Sequence, residues 1–202
     1  MKKLVLASQS PRRKQLLDNL GVSFTIIPSL ATETRPSTSN PERLVESLAK
    51  FKAETVGRTL SVAANSLVIG ADTIVVLDGS VLGKPEDEHE AAAMLRRLSG
   101  RWHQVFTGVA IFDPQTGGMA VSNEVTAVKI KPLSSEEISA YVATKEPFDK
   151  AGAYGIQDKG ALLVERIQGC YFNVVGLPLV KLAALLARWG VDLLKYGEEV
   201  QE

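Results

Sequence analysis

A strand, a short loop and a helix open the chain, and this order constrains the fold more than any other feature. The apolar run at residues 4–7 predicts a buried strand. Ser10 suits a helix N-cap, Pro11 suits the first helical position, and Gly21 predicts the end of the helix. A helix that begins directly after a strand end is a natural anion site, because its free N–H groups and its dipole point at the crevice.

Three cations, Arg12, Arg13 and Lys14, lie in the predicted first turn of this helix, where the dipole disfavours positive charge. Helical periodicity places Arg13 near the centre of an apolar stripe with Leu16, Leu17 and Leu20, and the other two cations on either side. A cation on the core face needs a partner, because an unpaired buried charge is costly. Two interpretations stay open for Arg13: a bound anion, or a side chain that reaches water or an internal carboxylate.

A second helix repeats this pattern. It is predicted over residues 41–56, after the cap residue Asn40. Lys52 falls in the middle of its apolar stripe. Lys52 and Arg13 can each belong to a structural ion pair, but two inward cations in a chain without surplus positive charge favour a shared polyanionic ligand.

A carboxylate stands inside the most apolar stretch of the chain. Residues 66–77 predict a central strand that is interrupted at residues 70–73, where Asp72 follows Gly70. A buried carboxylate is costly unless it is paired or binds a metal. The glycine indicates a bulge or the close approach of another backbone or a ligand. An ion pair between Asp72 and an Arg or Lys remains the structural alternative.

Two further charged residues occupy predicted loops or strand ends. Lys84 ends a short return strand after the hairpin turn Asp78-Gly79. Glu33 lies in a Ser-, Thr- and Pro-rich loop after a strand predicted at residues 24–27. It is either an ordinary exposed carboxylate or a metal-binding or acid/base group.

A long Gly-rich loop is predicted at residues 145–160, and loops of this length in compact domains tend to be functional. Tyr154 offers a face for stacking, and the Gln157 amide can both donate to and accept from a base edge. The remaining predicted elements are a helix at 86–98, a hairpin of strands at 102–112 and 119–130, a helix from 134 to about 143, a strand at 161–167 and a final helix at 178–189.

Composition excludes several classes of protein. The 202 residues include 23 Lys and Arg against 23 Asp and Glu, and a net charge of zero argues against binding to nucleic acid or an anionic membrane. No stretch is long and apolar enough to span a membrane or to serve as a secretory signal. The single Cys170 fits a reducing compartment, so a cytoplasmic location is expected. His103 has no second His nearby, and it is given no metal role.

Four short motifs together point to a known family. They are Ser8-Gln9-Ser10-Pro11-Arg12-Arg13, Gly70-Ala71-Asp72-Thr73, Leu82-Gly83-Lys84-Pro85 and Ala151-Gly152-Ala153-Tyr154-Gly155-Ile156-Gln157. With these motifs in order, the chain resembles the Maf family of nucleotide pyrophosphatases, also called septum-formation-inhibitor proteins. The resemblance implies a single α/β domain at residues 1–194, with a mixed, elongated sheet flanked by helices and related to inosine triphosphatases. Residues 195–202 are then a charged tail.

The resemblance also implies a reaction and the residues that perform it. Family members split a nucleoside triphosphate between its α and β phosphates, depend on a divalent metal such as Mg²⁺ or Mn²⁺, and form homodimers. By position, Asp72 is the proton acceptor and, with Glu33, a metal ligand. The residues implied in phosphate binding are Ser8, Ser10, Arg13, Lys52 and Lys84.

Three positions indicate the branch of the family. Arg12, Thr73 and Gln157 match the branch that acts on dTTP and UTP. The branch that acts on 7-methyl-GTP has an aromatic residue, Gln and Glu there, and an aromatic face and a carboxylate suit a cationic base. The resemblance therefore predicts pyrophosphatase activity on dTTP and UTP, with modified pyrimidine nucleotides left open.

Two alternatives belong to other functional classes. An inosine or xanthosine triphosphate pyrophosphatase has Asn and Lys in its opening motif, where this chain has Ser-Pro-Arg-Arg at residues 10–13. A non-catalytic cell-division regulator that binds a nucleotide or a protein has no need of a buried carboxylate beside a polyanion, so Asp72 counts against it.

Overall fold

The computed structural model of the chain describes residues 2–29, 40–60 and 65–196. Its helices and strands are β1 (Lys3–Leu6), α1 (Pro11–Asn19), β2 (Phe24–Ile26), α2 (Pro41–Gly57), β3 (Ser66–Leu77), β4 (Ser80–Leu82), α3 (Glu88–Leu98), β5 (Trp102–Asp113), β6 (Gly118–Ile130), α4 (Ser135–Ala143), β7 (Val164–Gln168), α5 (Tyr171–Val175) and α6 (Leu179–Leu186). Short 3₁₀ turns occupy Glu146–Asp149, Ala151–Ala153, Asp158–Leu162 and Ala187–Trp189. None of the helices in the described ranges has the length and apolar character of a membrane span.

The strands of the described residues form one mixed sheet of seven strands, in the order β2-β1-β3-β5-β6-β7, with β4 paired to β3. Strand β1 is parallel to both β2 and β3. Strand β4 is antiparallel to β3, and β7 is antiparallel to β6. This mixed sheet and its helices confirm the predicted α/β class.

Contacts between residues divide the chain into two compact units. The first takes in Met1–Asp72, Thr107–Glu124 and Gly176–Glu202, as far as these ranges are described. The second takes in Thr73–Phe106 and Val125–Val175. The predicted domain limits at residues 194 and 195 stay a prediction.

In the first unit, helix α2 lies directly on the sheet. Its small residues Ala49 and Ala53 pack with Val68 of β3 in one apolar cluster. Gly70 and Gly108 permit this close packing, because a Cβ atom at either position would lie 2.2 Å from a carbonyl oxygen of α2.

Strand β3 runs without a break from Ser66 to Leu77, so the predicted interruption at residues 70–73 is wrong. The glycine there makes room for a helix rather than ending a strand. Because side chains alternate along a strand, Asp72 shares the face of Gly70, which is the face toward α2. A regular strand therefore fixes the direction of the Asp72 carboxylate.

In the second unit, α3 and α4 bury their apolar stripes in a common cluster with strand residues that include Val75 and Val128. Helix α4 begins with the predicted capping box, in which Ser134 and Glu137 each accept from the other's backbone N–H. The buried residues of α3 are the predicted Ala91, Met94, Leu95 and Leu98.

The largest differences from the predicted elements follow the long loop. Strand β7 begins at Val164 instead of residue 161, because a 3₁₀ turn occupies Asp158–Leu162. The short helix α5 was not predicted, since its sequence of aromatic and β-branched residues is not typical of a helix. The final helix begins after Pro178 and ends before Gly190 as predicted, although its last turn is 3₁₀.

Candidate functional site

The opening loop of the first unit is organised by the hydroxyl group of Ser8. Ser8 is only 7% exposed, and its Oγ accepts a hydrogen bond from the backbone N–H of Ser10 at 3.1 Å. Ser10 occupies the N-cap position of α1 and Pro11 the first helical position, as predicted, but the Ser10 side chain makes no capping hydrogen bond. The first N–H groups of α1 are therefore not capped by Ser10, and they can bind an anion.

Arg13 is buried, as its place on the apolar stripe predicts, with an exposed fraction of 8%. Its Nε donates to the carbonyl oxygen of Gly176 at 2.7 Å, and its Nη1 donates to Ser8 Oγ at 3.2 Å. These two oxygen partners fix the plane of the guanidinium group. The structure thus brings Ser8, Ser10 and Arg13 together at the start of α1.

The two flanking cations are less buried than Arg13. Arg12 is half-buried. Lys14 is exposed and forms an i,i+4 ion pair with Asp18 at 2.6 Å. The predicted difference between Arg13 and its two neighbours is therefore confirmed.

Lys52 and Asp72, predicted separately from two motifs, contact each other. Lys52 Nζ lies 2.5 Å from Asp72 Oδ1, and the two side chains are 16% and 14% exposed. A largely buried ion pair was the structural alternative for both residues, so the inward direction of Lys52 no longer requires a ligand. The same contact is also chemically useful, because it fixes the position of a carboxylate that can accept a proton.

The second unit contains the other three predicted residues, Thr73, Lys84 and Gln157. Thr73 and Gln157 are half-buried, and Lys84 is exposed. We call residues 151–157 the Gln157 loop. Its Gly152 N–H donates to the carbonyl oxygen of Gly83 at 2.9 Å, which joins the loop to the segment that carries Lys84.

Two buried tyrosines hold the Gln157 loop. Tyr154 is 4% exposed, and its hydroxyl lies 2.6 Å from His103 Nε2. Gly155 donates its N–H to the hydroxyl oxygen of Tyr141 at 3.2 Å. The prediction that Tyr154 offers a stacking surface is wrong, because the ring faces the core instead of solvent.

His103 is a residue that sequence reasoning left without a role. It is buried, and this burial lowers the pKa of His103 to about 4, so that its imidazole is neutral at pH 7. Burial also raises the pKa of the Tyr154 hydroxyl. The only sequence signal was one histidine at the start of a predicted strand, and such a residue is more often structural than functional.

The described residues hold no cluster of three or more His, Cys, Asp and Glu side chains that would bind a metal ion. Glu33, predicted as a metal ligand with Asp72, lies outside the described residues. The described part of the chain thus supplies one predicted metal ligand, the Asp72 carboxylate.

A family model for Maf-like proteins matches residues 3–189 of the chain. The chain belongs to the Maf family. The motif-based recognition is thereby confirmed, and the match includes all four motifs.

Curated relatives of this Maf protein match almost end to end. A dTTP/UTP pyrophosphatase of Moorella thermoacetica is 54% identical, covering 96% of this chain and 98% of its own. Proteins of the same name from Acetivibrio thermocellus and Pelotomaculum thermopropionicum are 51% and 50% identical, again over 96% of this chain and over 99% and 100% of theirs.

A solved nucleoside-triphosphatase, a dITP/XTP pyrophosphatase of Mycobacterium abscessus, covers 93% of this Maf chain, with 96% of its own chain matched. It is 15% identical and has a TM-score of 0.43. A likeness this weak carries no argument about substrate.

Proposed function

We propose that this Maf protein hydrolyses dTTP and UTP to the nucleoside monophosphate and pyrophosphate. The geometric support is the contact between Lys52 and the Asp72 carboxylate, which lies on a strand of the unit that also carries the start of α1 and its candidate anion-binding N–H groups. The substrate class is supported by relatives named dTTP/UTP pyrophosphatase that are 50–54% identical over 96% of the chain.

In the proposed reaction, Asp72 accepts a proton from a water molecule as that water attacks the α-phosphorus. A new P–O bond forms, the bond from the α-phosphorus to the bridging oxygen breaks, and pyrophosphate leaves with the electron pair. Lys52 Nζ contacts Asp72 Oδ1 and fixes the position of the carboxylate before the attack.

The cations and hydroxyl groups bind the triphosphate in this proposal. Arg13 is oriented by Ser8 and Gly176, so it can present its fixed guanidinium plane to phosphate oxygens. Ser10 and the first N–H groups of α1 add neutral donors. Lys84 is proposed as a further phosphate ligand, since it is exposed and belongs to the third motif.

A divalent cation, Mg²⁺ or Mn²⁺, is the cofactor that we propose. Mg²⁺ is usually held by one or two carboxylates together with substrate phosphate oxygens, and Asp72 fits that donor set. Glu33 is the proposed second ligand. When bound, the cation neutralises part of the triphosphate charge and of the charge that develops on the leaving pyrophosphate.

Base selection is assigned to Arg12, Thr73 and Gln157. The Gln157 amide can donate and accept, as the edge of uracil or thymine requires. A homodimer and a cytoplasmic location are also proposed, and light scattering on the purified protein tests the dimer.

A panel of triphosphates tests the proposed function. Pyrophosphate release is measured from dTTP, UTP, 7-methyl-GTP, dATP, dITP and XTP, with and without EDTA, and Asp72→Asn is the matched inactive control. Equimolar pyrophosphate and monophosphate from dTTP and UTP, abolished by EDTA, are expected. Preference for dITP or XTP would instead identify an inosine or xanthosine triphosphate pyrophosphatase. Nucleotide binding without turnover on any substrate would identify a non-catalytic regulator.

A further inference from the structure

We propose that His103 is a positioning residue for base selection, because its hydrogen bond to Tyr154 holds the Gln157 loop in place. The inference rests on the proposed function, and it adds a residue that lies in none of the four motifs. All the groups involved belong to the second unit.

The contact between His103 and Tyr154 is direct and buried. The Nε2 and hydroxyl oxygen atoms are 2.6 Å apart, and each residue is 4% exposed. Their rings meet edge to face, with centroids 5.3 Å apart and an interplanar angle of 87°. Both the distance and the ring contact therefore fix where Tyr154, and with it the following loop residues, can lie.

The backbone beside Tyr154 needs such an anchor. Gly152 and Ala153 both have a left-handed conformation, with φ values of 71° and 61°, and this is unfavourable for a residue with a side chain such as alanine. Asp158, directly after Gln157, is also left-handed at φ 52°. A strained segment keeps its conformation only when the surrounding contacts determine it, and the Tyr154 hydroxyl supplies one of them.

His103 and Tyr154 form a polar pair at a buried position where two apolar side chains would stabilise the fold more. His103 Nδ1 is buried and has no hydrogen-bond partner among the described residues, which costs stability. Two apolar rings would fill the same space without this cost. A fixed position of the Gln157 loop is a reason for the polar pair to be present.

Loss of the pair is not expected to release the whole loop. Gly152 N–H is still bound to the Gly83 carbonyl oxygen, and Gly155 N–H is still bound to the Tyr141 hydroxyl. The Gln157 amide should lose its precise placement while the fold and the groups that perform the chemistry stay intact. This pattern separates a positioning role from a merely structural one.

The test measures kcat and KM for dTTP, UTP and dATP in Tyr154→Phe, His103→Phe and His103→Gln. Tyr154→Phe removes one oxygen atom and keeps the ring. We expect KM for dTTP and UTP to rise about tenfold, the effect of losing one neutral hydrogen bond between the Gln157 amide and the base. The value of kcat should change less than about twofold, which is smaller than the effect of one hydrogen bond. The KM for dATP should stay unchanged. His103→Phe should raise these KM values in the same way, and His103→Gln should raise them much less, because its amide can still form a hydrogen bond with the Tyr154 hydroxyl.

Two controls make the result decisive. The double variant His103→Phe, Tyr154→Phe should show no further loss of selectivity beyond either single variant, because both remove the same bond. Val128→Ala, a truncation in the apolar cluster of the same unit, should lower the melting temperature and leave the ratio of kcat/KM for dTTP to that for dATP unchanged.

Equal losses on all three substrates, in proportion to the fall in melting temperature as in Val128→Ala, would overturn the inference and leave the proposed function intact. So would unchanged selectivity in Tyr154→Phe. A wild-type protein that releases no pyrophosphate from dTTP or UTP would overturn the proposed function, and the assignment of His103 with it.

Discussion

The two units hold their candidate site residues by different means. In the first unit, charged side chains are fixed by direct bonds, such as Lys52 to Asp72 and Arg13 to Gly176. In the second unit, the position of Gln157 depends on the conformation of the Gln157 loop. The residues that hold this loop, Tyr141 and Tyr154, are buried and neutral at pH 7. The residues assigned to the chemistry can therefore be recognised in the sequence as charged residues in apolar segments. The residues that support the Gln157 loop are buried in the core and carry no such mark.

Removal of the Asp72 charge should give the largest effect. Asp72→Asn keeps an oxygen that can accept from Lys52 Nζ, but its amide cannot accept a proton from water. We expect kcat to fall about 10²–10⁴-fold, the usual contribution of a general base, while triphosphate binding is retained or tightened. Single-turnover kinetics and calorimetric titration measure the two quantities. Near-normal turnover at saturating Mg²⁺ and substrate would show that Asp72 is a structural partner of Lys52.

Exchange of the selectivity residues should give the next largest effect, and it tests the recognition groups alone. Arg12→Trp, Thr73→Gln and Gln157→Glu together should lower kcat/KM for dTTP and UTP about 10–100-fold, since each unsatisfied polar group costs about 1–3 kcal/mol. The value for 7-methyl-GTP should rise. Equal loss on every substrate would remove these three residues from base selection. The three single variants, compared with the triple, show whether their effects are additive.

The charges of the first unit were largely predictable from the sequence. Helical periodicity placed Arg13 and Lys52 on inward faces, and the apolar run placed Asp72 in a central strand. The partner of Lys52 was not predictable, because periodicity gives the direction of a side chain and not what lies opposite. The sequence correctly indicated a close approach at Gly70. The predicted break in the strand was wrong, because a strand can continue through a glycine against which a helix packs.

The support of the second unit was not predictable in the same way. A tyrosine in a Gly-rich loop is equally compatible with stacking on a ligand and with burial. His103 and Tyr154 are 51 residues apart in the chain, and no local pattern relates them. Only tertiary packing shows that they meet. The positions of the predicted helix caps Ser10, Asn40 and Ser134 are confirmed because they depend on neighbouring residues, although Ser10 makes no capping hydrogen bond.

The Lys52 ion pair gives a smaller effect, on stability. If Lys52 were held in place only by a ligand, Lys52→Met would leave the ligand-free protein as stable as before. The ion pair predicts the opposite, because the variant leaves the Asp72 carboxylate without its cation, at a cost of about 1–3 kcal/mol for a pair that is not fully buried. Urea denaturation without nucleotide measures this difference.

Two control variants test that interpretation. Lys14→Met breaks an exposed pair, with side chains 52% and 45% exposed, and should change stability little. The double variant Lys52→Met, Asp72→Asn should recover part of the loss, since the stranded charge is gone. A Lys52→Met protein as stable as the wild type would contradict the ion pair.

The buried histidine of the second unit gives the smallest effect, and it appears as a dependence of stability on pH. The pKa of His103 is lowered by burial from 6.5 to about 4. Between these two pH values the unfolded chain binds a proton that the folded chain does not. The free energy of unfolding therefore falls as the pH falls through this window, and the contribution of His103 to stability is complete only above it. From pH 7 to pH 5 the loss assigned to His103 is about 2 kcal/mol.

Comparison with His103→Gln isolates this contribution, because glutamine does not titrate and every other group is unchanged. Urea denaturation measures the stability that each protein loses between pH 7 and pH 5. This loss should be about 2 kcal/mol smaller in His103→Gln than in the wild type. His89→Gln, at an exposed position, should lose as much stability as the wild type. Equal losses in the wild type and His103→Gln would mean that the imidazole is open to protons, and the closed support inferred for the Gln157 loop would then be wrong.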